Sequence, residues 1–527
     1  MKLTGLLFAA ALLGTCTQPA AEENYTRHVD PKIGTGGHGH VFVGANVPFG
    51  LVQVGPTSIP QTWDWCSGYH ASDSTVIGFS HTHLSGTGIG DLFDVTVMPV
   101  TGEVTYARGT EDDPTSGLWS YADRTQEIAR PGYYSVPLTR YGIRAELTAT
   151  ARVGLHRYTF PASDAAAVVF DLENGGCWDK ATETHLAKEG DRTVTGWRHS
   201  TGWAKDQRVY FAAEFSKPFE KFETIGDNYA RASFRTTDGE QVSLKVALSP
   251  VSVEGARENL AAELPGWDFE ETAKAADKAW NDELSKVKIE TEDETSKRIF
   301  YTALYHTMVA PSLFCDVNGD YYGSDHAIHR NADFTNYTTF SLWDTYRAAM
   351  PLMTVLHPEK MADIVQTMLT ISDEQGRLPV WHLWGNETDC MVGNPGIPVV
   401  ADAIVKGIGG FDREKAFEAI RKTAMNPDRG NGLRMEYGYI PCEMFNEAVA
   451  YDMEYALADG AAARAAETLG KAEDAKYFEE RSHSYRNYFD PATRFMRGRD
   501  SKKGWRTPFN AFASTHRADD YCEGNAW

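Results

Sequence analysis

The hydrophobic periodicity of this sequence changes from strand-like to helical at about residue 265, and this change constrains the fold more than any other feature. Ile143–Thr150 alternates apolar and polar residues, as does the segment 241–248, a pattern typical of half-buried strands. Ala166–Leu172 is a continuous apolar run ending at a glycine-containing turn, as expected of a central strand. Many short strands with glycine-rich turns predict a β-sandwich for the first half of the chain.

After Pro265 the apolar residues fall at helical spacing. The first amphipathic segment is interpreted as a linker helix whose buried face is Phe269, Ala273, Ala276, Trp280 and Leu284. One later stripe is formed by Ile299, Phe300, Ala303, Leu304 and Met308. A second begins after Pro358, and a third is capped by Asp412 and runs through Ile420. The last two stripes are Val449, Met453 and Leu457, and then Tyr477, Phe478, Arg481, Tyr485 and Phe489. A run of long helices after a sandwich predicts an α/α toroid, which binds its ligand in a funnel of loops.

The first residues of the chain resemble an export signal. Lys2 precedes the apolar run Leu6–Leu13, which is too short to span a bilayer. The run leads into a lipobox-like segment in which Cys16 would be lipidated, with plain secretion as the alternative. The predicted organisation is a signal segment at 1–23, a β-sandwich domain at 24–264, a linker helix at 265–290 and a partial catalytic domain at 291–527. The protein is expected in the periplasm or at the cell surface, with a lipid anchor at Cys16 as its only membrane contact.

Charge and cysteine content exclude several classes of function. The net charge of -22 would repel phosphate backbones, so nucleic-acid binding is not expected. Apart from Cys16, six cysteines are widely scattered, and no pair has the spacing of a zinc ribbon or a redox motif. Up to three disulfides could form in an oxidising compartment, but dispersed buried thiols are the favoured interpretation.

Two histidine pairs raise the question of a metal site. His38 and His40 lie in a glycine-rich segment, and His81 and His83 show the same alternate spacing. Neutral imidazoles on one face would suit zinc, whereas histidines packed in a polar cleft are the favoured alternative.

Three loops of the helical half combine aromatic, acidic and amide or guanidinium side chains. They are Ser341–Arg347, Trp381–Asp389 and the final segment 519–527. Tryptophan faces stack on sugar rings, and carboxylates and guanidinium groups bond to sugar hydroxyls. The three loops together therefore predict a carbohydrate site. Glycoside hydrolysis needs a pair of carboxyl groups, and sequence spacing alone leaves open which pair it would be.

Several segments together resemble glycoside hydrolase family 92, a family of calcium-dependent exo-acting α-mannosidases that invert the anomeric centre. The matching segments are 34–40 with Val47–Gly50, 78–88, Trp343–Thr345, Gly385–Thr388 and Glu523–Trp527. They follow the order of the family and extend from about Asn24 to the end of the chain. The resemblance implies a β-sandwich followed by an (α/α)6 toroid, in agreement with the periodicity, and this toroid is expected to be incomplete here.

The resemblance also implies roles for individual residues. Glu523 matches the general acid, and Asp344 matches a carboxylate that binds the terminal mannose. A tryptophan of the Trp63 and Trp65 region is expected in the same subsite. The other residues expected near the pocket are Trp343, Arg347, Trp384, Glu387 and Asp389.

The implied function is an exported, inverting exo-α-mannosidase, of the α-1,2 type, that trims mannose from N-glycans or mannans with Ca²⁺ as cofactor. The family continues past the position of Trp527, so these residues are expected to be C-terminally incomplete and inactive alone. The general base and the calcium ligands are therefore not assigned. The alternatives are another sandwich-plus-toroid hydrolase or phosphorylase, and a non-catalytic glycan-binding surface lipoprotein.

Overall fold

The computed structural model describes residues 23–113, 115–173, 175–514 and 520–526. The predicted signal segment, including Cys16, lies outside the described residues, as does Trp527. The described chain forms a β-sandwich followed by a helical half, as the periodicity predicts. A search of the described helices for one long and apolar enough to cross a bilayer finds none.

The sandwich consists of two large antiparallel sheets. The strands of this half are β1 (Gly55–Thr57), β2 (Thr75–Val76), β3 (Gly78–Ser80), β4 (Thr96–Thr101), β5 (Ser120–Tyr121), β6 (Ile128–Arg130), β7 (Tyr133–Leu138), β8 (Ile143–Ala149), β9 (Val153–Phe160), β10 (Ser163–Asp171), β11 (Lys180–Glu189), β12 (Thr193–Thr201), β13 (Gln207–Phe215), β14 (Lys221–Ile225), β15 (Tyr229–Thr236) and β16 (Glu240–Ser249). Strands β2 and β5 form a separate two-stranded sheet. In the described chain the six-stranded sheet has the order β1-β3-β4-β10-β15-β14. The eight-stranded sheet has the order β11-β12-β13-β16-β9-β8-β7-β6.

The strands predicted from the sequence are confirmed. Strand β8 covers the alternating segment, and β16 covers the second one. Strand β10 lies between β4 and β15, so its continuous apolar run is buried on both faces. The core between the sheets includes Phe170, which stacks on Phe211 with ring centroids 6.0 Å apart.

The second half is built from helices and short hairpins. The helices are α1 (Val253–Glu263), α2 (Phe269–Leu284), α3 (Glu294–His306), α4 (Leu342–Thr345), α5 (Ala349–Leu356), α6 (Pro358–Gln375), α7 (Gly396–Val405), α8 (Arg413–Ala424), α9 (Asn431–Tyr437), α10 (Ala448–Thr468) and α11 (Ala472–Arg481). The short strands are β17 (Ser312–Leu313), β18 (Tyr321–Tyr322), β19 (Ile328–His329), β20 (Tyr337–Thr338), β21 (Phe340–Ser341), β22 (Trp381–Leu383), β23 (Asn386–Glu387), β24 (Phe489–Asp490) and β25 (Phe495–Met496).

Helix α2 joins the two halves and buries the five residues predicted for its apolar face. Asp268 caps it by accepting a hydrogen bond from the Glu271 N–H, at 3.0 Å. At its other end Trp280 is fully buried and donates from Nε1 to the Asn46 carbonyl of the first half, at 2.8 Å. The Trp280 ring also packs on Tyr305 of α3, with centroids 4.3 Å apart. Helix α1 precedes α2 and packs on β16, within the range predicted for the sandwich domain.

The stripes predicted for the later helices select the wrong side chains in part. Val449 is buried, but Met453 and Leu457 of the same stripe are 36% and 46% exposed. The buried face of α10 is formed mainly by alanines, with Val449, Tyr455 and the acidic residues Asp452 and Asp459. The two carboxylates pair with Arg434 at 2.7 and 2.6 Å. Alanines and ion-paired residues do not stand out as a periodic stripe of large apolar side chains. The sequence pattern therefore selected Met453 and Leu457, which lie on the exposed face of α10. Ile299, Tyr477, Tyr485 and Phe489 are likewise exposed.

A buried ion network fixes one edge of the sandwich. Arg198 of β12 lies fully buried between Asp94, at 2.7 Å, and Asp179. Its Nε also donates to the Leu172 carbonyl, at 2.9 Å. Ser200 donates to Asp179, so the donors and acceptors of the network satisfy one another. A network of this kind is destabilised strongly when one partner is removed, because a buried charge is left uncompensated.

We expect Arg198→Met to lower the free energy of unfolding by about 3–5 kcal/mol, because Asp94 and Asp179 would remain buried without their cation. Urea unfolding monitored by circular dichroism measures the change. The matched control is Arg235→Met, because Arg235 pairs with Glu220 at the surface and both side chains are largely exposed. The control should cost under about 1 kcal/mol. Equal losses in the two variants would contradict the importance of the buried network.

Candidate functional site

A loop of the sandwich and a hairpin of the helical half meet edge to face. Trp203 packs on Trp381 of β22, with ring centroids 4.6 Å apart and planes at 64°. Beside them Asp206 and Asn386 exchange a pair of hydrogen bonds, at 3.0 and 2.9 Å. This contact fixes the predicted loop Trp381–Asp389 against the sandwich.

The first predicted loop forms one continuous polar surface. Asp344, on the short helix α4, is exposed and accepts a hydrogen bond from the Ser341 hydroxyl, at 2.6 Å. Arg347 lies over the Trp343 ring, 5.0 Å from its centroid, and pairs with Glu454 of α10 at 2.6 Å. The structure therefore brings Trp343, Asp344 and Arg347 together, as predicted, and adds Glu454 to them.

The second predicted loop divides into buried and exposed members. Trp384 is only 2% exposed, and its ring packs on Phe314, so it supports the loop from below and presents no open face for a sugar. The Glu387 carboxylate accepts hydrogen bonds from the N–H groups of Val380 and Trp381, at 2.8 and 2.9 Å. These contacts assign loop-supporting positions to Trp384 and Glu387.

Asp389, in contrast, faces solvent. It pairs with Arg377 and lies 3.5 Å from Arg429. It also lines a groove of about 550 Å³ together with Glu447 and Tyr451, at the start of α10.

The third predicted loop reaches the same end of α10. The Asp520 carbonyl accepts the N–H of Ala450, at 3.1 Å. Cys522 is buried and hydrogen-bonded to Glu447, and burial together with that carboxylate raises the pKa of the Cys522 thiol. Glu523 follows directly and is exposed. The three loops predicted as a carbohydrate site thus converge on the first turns of α10.

Left-handed backbone conformations cluster in these loops. Four residues other than glycine have positive φ here: Trp384 (47°), Asp389 (51°), Glu447 (55°) and Glu523 (49°). Such conformations cost on the order of 1 kcal/mol or more each and concentrate at functional sites, where the surroundings enforce them. Glu447 and Glu454 were missed by the sequence analysis, because nothing in the helical periodicity distinguishes them from surface carboxylates.

Trp63 and Trp65 belong to the sandwich side of the molecule, on a 3-10 helix at Trp63–Trp65. Trp63 is 49% exposed and donates from Nε1 to the Gly88 carbonyl, at 2.9 Å. A Cβ at residue 88 would lie 2.5 Å from the Trp63 ring, so this position requires glycine. Trp65 stacks on His70 at 4.4 Å and is partly buried, so Trp63 is the tryptophan with an open face.

The two histidine pairs are held by internal contacts. His38 Nδ1 lies 2.5 Å from Asp64 Oδ1. His81 bonds to His156 and to the Val95 carbonyl, at 2.9 and 2.6 Å. Burial lowers the pKa of His81 to about 3 and that of His83 to about 4, so both are neutral near pH 7. Packed histidines, the favoured interpretation, account for His81 and His83.

One cluster in the described chain has the geometry of a metal site and was not predicted. Atoms of Asp325, His329 and Glu374 lie within 4.8 Å of one another, with His329 Nε2 3.1 Å from Asp325 and 3.3 Å from Glu374. An imidazole and two carboxylates do not match the all-oxygen set that Ca²⁺ prefers. Asp325 and His329 lie on the β18–β19 hairpin, and Glu374 lies near the end of α6. Sequence spacing does not reveal that these two segments lie close together.

Asp91 is a further buried acid, next to the contact between Trp203 and Trp381. Its Oδ2 accepts the N–H groups of Trp203 and Ala204, at 2.7 and 2.9 Å. Its Oδ1 has no hydrogen-bond partner among the described residues. Burial raises the pKa of Asp91 to about 7, and the neighbouring Asp179 carboxylate adds to the shift.

The family of the chain follows from comparison with known proteins. Residues 28–249 match the Glycosyl hydrolase family 92 N-terminal domain, and residues 255–527 match the Glycosyl hydrolase family 92 catalytic domain. The chain belongs to glycosyl hydrolase family 92.

Solved relatives share the fold. The family GH92 alpha-mannosidase BT3965 from Bacteroides thetaiotaomicron, in complex with mannoimidazole, is 39% identical with a TM-score of 0.92, over 96% of this chain and 70% of that one. The family GH92 inverting mannosidase BT2199 from the same organism is 29% identical with a TM-score of 0.86, over the same shares. A curated relative, an uncharacterized secreted glycosidase of Arthroderma benhamiae, is 26% identical over 91% of this chain. The match spans 64% of that relative's length.

We expect Asp91→Asn to change how stability depends on pH. A carboxyl whose pKa is raised on folding binds its proton more tightly in the native state, so its contribution is full below the unfolded pKa near 3.8 and is lost as pH rises to about 7. Asparagine keeps the acceptor for the two N–H groups but does not titrate. The difference in unfolding free energy, wild type minus variant, should therefore fall between pH 4.5 and 7.5 in parallel urea titrations. A difference that stays constant or rises with pH would contradict this assignment.

Proposed function

We propose that the protein is an exported, exo-acting, inverting α-mannosidase, of the α-1,2 type, that trims mannose from N-glycans or mannans. The observation that carries the proposal is the likeness to the alpha-mannosidase BT3965, with a TM-score of 0.92 over 96% of this chain. The inverting outcome is supported by the relative BT2199, which is described as an inverting mannosidase. Export is supported by the curated relative, which is described as secreted, and a lipid anchor at Cys16 remains part of the proposal.

In this proposal the exposed members of the three loops meet the substrate. Glu523 protonates the leaving glycosidic oxygen while a water activated by a second carboxylate attacks C1 from the opposite face. Asp344 accepts hydrogen bonds from the hydroxyls of the terminal mannose, and Arg347, held by Glu454, donates to them. Trp63 contributes its open face to the sugar ring. Trp384 and Glu387 act by holding the loop that carries Asp389.

Calcium is the cofactor of the proposal. When bound, it would supply a hard Lewis acid that engages sugar hydroxyls. The Asp325, His329 and Glu374 cluster does not suit this ion, so we propose that the calcium ligands lie elsewhere.

We expect activity of the full-length protein on an α-mannoside to be lost with a calcium chelator and restored by Ca²⁺ but not by Zn²⁺. Carboxylate and carbonyl oxygens select Ca²⁺, whereas nitrogen and sulfur ligands favour Zn²⁺. The measurement is the initial rate after chelation and after addition of each metal. Recovery with Zn²⁺ alone would exclude calcium as the cofactor and direct attention to His329 and its neighbours.

We expect Glu523→Gln in the full-length protein to lower turnover at least about a hundredfold on a substrate with a sugar leaving group, the usual scale for general-acid catalysis. Glutamine keeps the size and polarity of the side chain but carries no transferable proton. The loss should be much smaller on a dinitrophenyl mannoside, whose leaving group needs little protonation.

The matched control is Asp344→Asn, which alters sugar binding and should weaken turnover of both substrates by similar factors. Equal losses on both substrates for Glu523→Gln would show that Glu523 positions the sugar and that the acid lies elsewhere. Mannose binding without turnover in the wild type would instead favour a non-catalytic glycan-binding protein.

A further inference from the structure

Two cysteines that are far apart in the sequence meet beneath the turn that carries Trp63. Cys66 follows the 3-10 helix directly, and its N–H donates to the Trp63 carbonyl, at 3.2 Å. Cys177 lies just before β11, and its sulfur is 3.6 Å from the Thr62 carbonyl oxygen. The Cys66 and Cys177 side chains lie close enough to shift each other's pKa. Both are held as free thiols in the structure.

The surrounding chain leaves this thiol pair little freedom. Cys66 is fully buried, and its backbone is fixed by the turn. Cys177 packs against Gly90 so closely that a Cβ at residue 90 would lie 2.7 Å from the Cys177 Cβ. On its other side Cys177 is partly exposed and lines a groove of about 790 Å³ together with Trp178 and Arg108. One thiol of the pair is therefore accessible from solvent, and the other is buried.

The surroundings also distinguish the two sulfurs chemically. The Cys66 side chain lowers the pKa of the Cys177 thiol, and Arg108 lowers it further, whereas Cys177 and burial raise the pKa of the Cys66 thiol. The thiolate is the nucleophile in thiol–disulfide exchange, so the exposed Cys177 is the sulfur that attacks first.

We propose that Cys66 and Cys177 form an intramolecular disulfide when the folded protein meets a small-molecule disulfide. The Cys177 thiolate attacks one sulfur of the oxidant, forms a mixed disulfide and releases one thiol. Cys66 then loses its proton and attacks the Cys177 sulfur, which forms the internal bond and releases the second thiol. The protein loses two hydrogens, and the oxidant is reduced to two thiols.

This bond would tie the Trp63 turn to the segment just before β11 across a long stretch of sequence. A long closed loop reduces the entropy of the unfolded chain, so the bond should stabilise the folded state. It would also fix the base of the turn on which Trp63 presents its open face. That second consequence rests on the proposed function, whereas formation of the bond does not.

The test uses the purified protein, first fully reduced and then equilibrated with oxidised and reduced glutathione. The protein is then unfolded in urea, its free thiols are blocked with iodoacetamide, and it is digested without reduction for mass spectrometry. We expect a peptide that links Cys66 to Cys177 and an alkylated Cys315 in the same sample. Cys315 is the matched control, because it is buried and its thiol contacts Arg152, at 3.8 Å. Alkylation of both Cys66 and Cys177, or a stable glutathione adduct on Cys177, would overturn the proposal.

Three variants complete the experiment. Oxidation should raise the melting temperature of the wild type and of Cys315→Ser by at least about 3 °C, reversibly with dithiothreitol. Cys66→Ser and Cys177→Ser should show no such shift. If either variant fails to fold, the wild-type peptide map decides alone. The peptide map does not depend on mannosidase activity. Failure of the proposed function and failure of this proposal are therefore distinguishable.

Discussion

The seam between the two halves determines where every candidate residue lies. Trp280 is the central contact, because its indole is buried between the first half, through the Asn46 carbonyl, and the helical half, through Tyr305. A buried tryptophan with its N–H satisfied contributes a large apolar area without leaving a polar group unpaired. A second aromatic contact between the halves is the edge-to-face packing of Trp203 on Trp381. Because aromatic packing joins the two halves at both contacts, loops of the sandwich are held against loops of the helical half.

Contacts within the helical half account for the strained loops. Left-handed residues such as Asp389 and Glu447 persist only where surrounding contacts outweigh their conformational cost. Two side chains hold the loop that carries Asp389. Glu387 accepts a hydrogen bond from the Val380 N–H before it, and Arg429 donates to the carbonyls of Met391 and Gly393 after it. Binding sites placed on loops gain precision when rigid elements hold those loops, and the start of α10 serves that purpose here.

Sequence periodicity predicted the parts of the fold in which apolar residues alone decide burial. The strands around Ala166–Leu172 and the face of α2 followed this rule, and both predictions are confirmed. Helix α10 did not follow it, because alanines and the ion pairs of Asp452 and Asp459 form its buried face. The three sugar-type loops could be named from composition, but the burial of Trp384 and the approach of Glu454 to Arg347 depend on tertiary contacts that no local pattern encodes.

The contact between Trp63 and Gly88 has a consequence for the thermodynamics of ligand binding. The indole is held at its edge by the Gly88 carbonyl, and the His40 ring meets it at 4.2 Å. Its side-chain torsions are therefore already restricted in the free protein, and a ligand that stacks on the open face orders little that was previously mobile. Since immobilising a side chain usually opposes association, a ring fixed in advance retains more of its stacking energy as affinity. In the proposed function, the absence of a side chain at residue 88 therefore lets Gly88 hold the Trp63 ring in place before the sugar binds.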